Sequence, residues 1–254
     1  MGSEHIDDGT TEARLAREAA FHDERFADDT RAATDKFYAI TKESFGWYRE
    51  RALGDLGGKA FLEYGCGPGS IAFDAATQGA KAVGIDISPV AVEQANARAT
   101  GTGNGARFEV RNAEASGYAD ASFDRIAGSG ILHHLDLDRA YRELARLLRP
   151  GGRGVFLEPL GHNPLINAYR KRTPQMRTED EHPLLRADFD LANRYFASVR
   201  TRFFHLSSLA AVPLRGRPGF GALLAALSGI DRLLLASASP LRWNAWMAVV
   251  ELER

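Results

Sequence analysis

The chain has one cysteine, Cys66, among its 254 residues. That excludes an internal disulfide framework and leaves no cysteine-rich metal site to consider. A long uninterrupted apolar run is missing as well. The longest, around residues 219–238, is broken by Asp231 and Arg232, so a membrane span is not expected. The opening residues Met1-Gly2-Ser3-Glu4-His5 are polar and lack the apolar core of a signal peptide. No internal repeat or low-complexity segment is evident. Neither half carries the dense basic stripe with interleaved aromatics that marks a nucleic-acid binder. These absences predict a cytoplasmic chain without stable membrane insertion and without a nucleic-acid partner.

The composition is 44% hydrophobic and 26% charged, ordinary for a globular chain with a full core. The length fits one large α/β domain with additions better than two independent ones. Net charge is −1 overall but uneven: residues 1–138 carry 14 basic and 23 acidic side chains, and residues 139–254 carry 18 and 10. Solvated faces of opposite sign are the plain explanation. A C-terminal half that attracts an anionic substrate is the sharper one.

The chain is organised around Phe61-Leu62-Glu63-Tyr64-Gly65-Cys66-Gly67-Pro68-Gly69-Ser70. A short apolar run ends in an acid, and glycines at 65, 67 and 69 let the backbone reverse and let a ligand approach it closely. A helix opening near Ser70 points free N–H groups toward the turn. A second apolar run, Lys81–Asp86, also ends in an acid. Asp86 follows Gly65 by 21 positions, near the ~20-residue offset at which an acid meets a ribose hydroxyl. A nucleotide-like ligand is expected. The spacing Gly-x-Gly-x-Gly, with Glu63 ahead of it, disfavours the pyrophosphate of a dinucleotide, which the carboxylate would repel. It suits a ligand with an ammonium or sulfonium group.

Glu63-x-Gly65-x-Gly67-x-Gly69 resembles the first motif of the class I S-adenosylmethionine-dependent methyltransferases, of the small-molecule type. Phe123-Asp124, Leu132-His133-His134-Leu135 and Leu148-Arg149-Pro150-Gly151-Gly152 are similar to the later motifs, so the resemblance covers residues 59–160. It implies a Rossmann-like, doubly wound, seven-stranded α/β sheet of order 3-2-1-4-5-7-6, mostly parallel with the last strand antiparallel. It further implies an N-terminal helical cap over residues 1–56, a methyltransferase domain over 57–254, and substrate-side elements with a helical insertion over 160–240. The cofactor would be S-adenosylmethionine, leaving as S-adenosylhomocysteine. Glu63, Gly65, Cys66, Gly67 and Gly69 would hold its methionine end, and Asp86, Ile87 and Ser88 its ribose. Asn112, Ala113 and Glu114 would flank the adenine, although Asn112 stands where the family often has an aspartate. Ser129 and Gly130 would lie near the sulfonium. Phe21, His22, Phe37 and Tyr38 are lid candidates in the cap, Tyr38 also as a cofactor contact. No Asn-Pro-Pro-Tyr stretch follows the fourth strand, which argues against methylation of adenine or glutamine amides.

Methyl transfer from a sulfonium needs alignment of nucleophile and leaving group. It also needs a base when the acceptor is a hydroxyl. His133, His134, Glu158 and His162 are the candidates, beside the plainer reading that the histidines only shape their loop. No metal is expected, because two adjacent histidines lack a third ligand. The leucines of 219–238 predict burial of that helix by the core, by a second copy in a homodimer, or by a greasy substrate. The expected reaction is methylation of an oxygen or nitrogen of a small, partly apolar metabolite. Methylation of a peptide or protein terminus, a non-catalytic cofactor-binding regulator and, least favoured, a dehydrogenase are the alternatives.

Overall fold

A computed structural model describes residues 8–27, 39–178, 180–236 and 240–254. Seven strands form one sheet in the order β3-β2-β1-β4-β5-β7-β6. They are β1 (Ala60–Tyr64), β2 (Lys81–Asp86), β3 (Arg107–Val110), β4 (Phe123–Ser129), β5 (Leu148–Pro159), β6 (Ser198–Phe204) and β7 (Met247–Glu253). Neighbours from β3 to β5 are parallel, and β7 runs antiparallel to both β5 and β6. This is the order and strand sense expected from the sequence.

The helices are α1 (Asp8–Ala27), α2 (Lys42–Leu53), α3 (Ile71–Thr77), α4 (Pro89–Thr102), α5 (Leu137–Leu147), α6 (Pro164–Arg172), α7 (Arg186–Ala192) and α8 (Phe220–Ala236). Strand alternation sends successive side chains to opposite faces, and it divides the core in two. Leu62, Tyr64, Ile126 and Phe156 pack with Tyr141, Leu144 and Leu147 of α5 on one face. Phe61, Ala127, Val155 and Leu157 pack with Ile71, Phe73 and Val92 of α3 and α4 on the other.

Local signals account for several boundaries. Ser88 caps α4, its Oγ accepting from Ala91 N at 3.1 Å with Pro89 in the first turn. Asp136 caps α5 by accepting from Asp138 N and Arg139 N at 3.1 and 3.2 Å. Helix α5 ends at Leu147, where β5 begins at once. Pro150-Gly151-Gly152 does not precede β5 but lies within it, as a bulge between the Phe123–Leu148 and Arg125–Arg153 pairs, with Gly151 at φ +74°. The sixth strand stops at Phe204, because His205 at φ +64° turns the chain out of the sheet. The expected N-terminal cap region contains α1 and α2; residues 28–38, with Phe37 and Tyr38, lie outside the described ones.

Of the three expected ways of burying the leucine-rich helix, burial in the chain's own core is overturned. In α8 only Asp231 and Leu235 are buried, while Leu233 is 80% exposed. The helix rests one stripe on β6 and on the 3-10 turn Ser207–Leu214. Its polar residue is the one drawn inward. Asp231 accepts hydrogen bonds from Leu206 N, Ser207 N and Ser208 N at 2.7–3.1 Å and from Ser207 Oγ at 2.6 Å. Among the described residues no helix is long and apolar enough to cross a membrane.

Candidate active site

A cavity of about 660 Å³ opens at the carboxyl ends of β1, β2 and β4, where open α/β sheets place ligands. One wall is the glycine loop after β1. Gly65, at φ +68°, cannot carry a side chain, because a Cβ there would lie 2.7 Å from Ile131. The loop N–H groups are committed within the protein: Cys66 N donates to Ile85 O, Gly67 N to Asp86 Oδ2 at 2.8 Å, and Gly69 N to Cys66 O. Glu63 is 3% exposed and does not face the cavity. It accepts from Ile71 N at 3.2 Å, Ala72 N at 2.9 Å and Ser70 Oγ, so the protein's own carboxylate occupies the N-terminus of α3. Burial raises its pKa, partly offset by those donors. A pyrophosphate would find the anion position of this helix already filled.

Asp86, Ile87, Asn112, Ala113, Ser129 and Gly130 line the cavity with Gly65, Cys66, Gly67 and Gly69. Asp86 also accepts from Ser88 N at 3.0 Å, which fixes its carboxylate at the loop. Tyr64 Oη donates to Ala113 O and so ties the 112–113 turn to β1. Burial pushes the Cys66 thiol up, away from thiolate chemistry. Ser88 and Glu114 do not line the cavity. Ser88 caps α4, and Glu114 takes a bidentate contact from Arg14 at 2.6 and 2.7 Å together with Asp136 N at 2.8 Å.

Across the cavity, Glu158 is fully buried at the end of β5. Its Oε1 accepts from Ile131 N and Leu132 N at 3.0 and 2.9 Å, and its Oε2 lies 2.7 Å from His133 Nδ1. Burial pushes the Glu158 carboxyl up to about 7. Burial and the neighbouring His134 push the His133 imidazole well below its ordinary value, which keeps it neutral. His133 and His134 face the cavity with rings 4.2 Å apart, whereas Glu158 stands behind His133. His162 is exposed, lies away from the cavity and accepts from Arg186 N at 3.1 Å.

Helix α1 roofs this arrangement. Arg14, Leu15, Glu18, His22 and Phe26 line the cavity from it. Arg14 reaches Glu114 and also His134 O at 3.2 Å. Asp23 accepts from Ser88 Oγ, and Gln94 Nε2 donates to Phe26 O at 3.3 Å. Arg17 pairs with Asp180 at 2.9 Å. Phe21 meets His22 edge-on at 5.4 Å. Tyr38 lies outside the described residues. Arg14, Glu18 and Arg170 escaped the sequence reading, because charged residues on isolated helices carry no signal of what they will face.

Residues 62–156 match the model of a family described as methyltransferase domain. This stretch is a class I methyltransferase domain. The chain is 43% identical over 107 residues to 27-O-demethylrifamycin SV methyltransferase of Amycolatopsis mediterranei, covering 39% of each chain. It is 32% identical over 131 residues to a ubiquinone biosynthesis O-methyltransferase of Bordetella pertussis, covering 50% of this chain and 53% of that one. The matches thus span between about two fifths and about half of these curated relatives' length. Phosphoethanolamine N-methyltransferase 2 of Haemonchus contortus shares the fold with a TM-score of 0.64 at 15% identity, over 92% of this chain and 60% of that one. The matched stretch supplies the glycine loop, Asp86 and His133; Glu158 stands two residues beyond it, and α1, α6 and the 176–181 segment line the cavity from outside it.

Proposed function

We propose that the chain transfers the methyl group of S-adenosylmethionine to an oxygen or nitrogen of a small, partly apolar metabolite by in-line displacement. The observation that carries this reading is one cavity in which Asp86 and the glycine-rich loop face a neutral histidine held by a buried glutamate. The residues present fit the proposed cofactor: the Asp86 carboxylate lines the cavity beside the loop, and the loop has no spare N–H at 66, 67 or 69 for a pyrophosphate. When bound, S-adenosylmethionine supplies an electrophilic methyl on a sulfonium, and S-adenosylhomocysteine is the product.

The chain's residues then have distinct tasks. Asp86 accepts the ribose hydroxyls, and Asn112 with Ala113 walls the adenine. Glu158 orients His133 through Nδ1, leaving Nε2 as the atom that accepts a proton from an acceptor hydroxyl. The α1 roof excludes water. Leu15, Phe45, Ile166, Met176, Trp246 and Met247 line the rest of the cavity, which supports an acceptor with an apolar body. Neighbours of this fold that act on small molecules, such as the phosphoethanolamine enzyme, agree with that size class.

Thermal denaturation with S-adenosylmethionine, S-adenosylhomocysteine and NAD added separately tests the reading. Either adenosyl compound at a hundred times its dissociation constant is expected to add ~2.7 kcal/mol, with no rise for NAD. No rise with the adenosyl compounds would overturn it. Binding without formation of S-adenosylhomocysteine from any metabolite mixture would instead point to a regulator.

A further inference from the structure

Two adjacent histidines make a poor metal site for want of a third ligand, and the fold supplies one. Glu18 and His22 stand four residues apart on α1, hence on one face of it, and that face meets His134. One nitrogen from each histidine and one Glu18 oxygen lie within 4.8 Å of one another. Two of the separations are known individually: Glu18 Oε2 is 3.2 Å from His134 Nδ1 and 3.5 Å from His22 Nε2. Four ligands tetrahedrally placed at zinc-like bond lengths are separated by about 3.3–3.5 Å.

The polar atoms here are otherwise unsatisfied. Glu18 is 3% exposed, and although His134, His22 and Thr178 contact its carboxylate, neither oxygen makes a well-directed hydrogen bond, and neither does His134 Nδ1. Buried polar atoms left in this way are costly and ask for a partner. The nearby Arg14 cation does not oppose a metal ion, because Glu114 already neutralises it. The His22 ring is fixed against Phe26 at 5.8 Å and edge-on to His134 at 5.1 Å.

We propose that Glu18, His22 and His134 bind one divalent first-row transition ion, of which Zn2+ is the representative. Two imidazoles and a carboxylate are a donor set suited to such an ion, with a fourth position left open. All three residues line the cavity, so the fourth ligand comes from the cavity, as water or as a polar group of whatever the cavity holds. The ion would bridge α1 to the loop after β4. A second group, His133, His134 and Glu181, shares His134. It is the weaker candidate because the Glu181 carboxylate is already paired with Arg177 at 3.5 Å.

The test is calorimetric titration of Zn2+ into the chelator-stripped chain without any methyl donor, so its outcome is independent of the function proposed above. One ion per chain is expected, with affinity at least about tenfold weaker in Glu18→Gln and in His22→Ala, and both variants retaining the wild-type circular dichroism. Absence of saturable binding would overturn the proposal. So would affinity unchanged in both variants, or lost in Glu181→Gln and kept in Glu18→Gln. Should the variants fail to fold, Co2+ in the wild-type chain decides. Intense visible d–d bands of a four-coordinate ion support the site, and the weak spectrum of a six-coordinate aquo ion sinks it.

Discussion

The wall of the cavity that runs from Gly65 to Ala113 comes from one contiguous stretch of chain. It is held by backbone groups: the loop N–H donations, the Glu63 cap on α3 and the close approach at Gly65. The opposite wall draws on α1, the 131–135 loop, α6, the 176–181 segment and Trp246. Long-range side-chain contacts hold it, among them Arg14–Glu114, Glu158–His133 and Arg17–Asp180. Backbone-held walls are stiff and tolerate few substitutions. Side-chain-held walls can open and can be retuned, which suits a roof over an exchanging ligand.

The contrast is sharpest in the predicted effects of substitution. Glu158→Gln keeps the shape of the second wall but weakens the hold on His133. The rate of methyl transfer is expected to fall by about 10²–10⁴-fold while calorimetric affinity for S-adenosylmethionine stays within about twofold. An equal loss of both would place Glu158 in folding rather than in the chemistry.

Acid should destabilise the fold behind Trp246 of the second wall, through His205, which is 3% exposed and bonded to Ser44 Oγ at 2.8 Å. Burial holds its folded-state pKa at about 4, only partly offset by Asp231. Between pH 6.5 and about 4 the unfolded chain binds the extra proton and the folded chain does not, so stability falls as pH falls through that window. The loss attached to this group is about 3 kcal/mol at pH 4 and should be absent above pH 7. Chemical denaturation of His205→Gln across this range should show a correspondingly flatter profile.

On the first wall, Asp86→Ala removes the acceptor for Gly67 N and Ser88 N as well as the proposed ribose contact. S-adenosylmethionine affinity is expected to fall by ~1.5–3 kcal/mol, and unchanged affinity by calorimetry would mean the nucleoside lies elsewhere. Arg14→Ala cuts α1 from Glu114 and from His134 O. Amide exchange in 11–27 should quicken about tenfold, corresponding to ~1.4 kcal/mol, while β1 and β4 keep their protection. If β1 and β4 lose protection equally, the roof is not a separable layer. Leu233→Ser, at the most exposed apolar position of α8, should change stability by no more than about 0.5 kcal/mol. A larger loss that grows with protein concentration would reveal a second copy on that face.

The sheet order was legible through the family resemblance, and the ligand end of the fold because its signals are local. Glycine spacing sets a loop that only small residues can form, acids at strand ends are separated by a fixed count, and Ser88-Pro89 announces a helix. Misjudgement followed wherever identity mattered less than surroundings. Glu63 reads as a ligand group by its place in the motif, but its carboxylate turns to the free N–H groups of α3. The leucines of α8 read as core, but the sheet face they would cover is already filled from α5, α7 and β6 residues, so one stripe suffices.

The sequence by itself determined the α/β architecture, the nucleotide-like character of the first wall and the absence of a disulfide framework, since each depends on chain-local geometry or on composition. Only the tertiary structure decided that α1 roofs the cavity, that Glu158 stands behind His133, and that Glu18 and His22 meet His134. Those meetings join residues more than a hundred positions apart for α1 and 25 apart for Glu158. Nothing in local spacing encodes which distant charge a helix face will cover; packing against the sheet does.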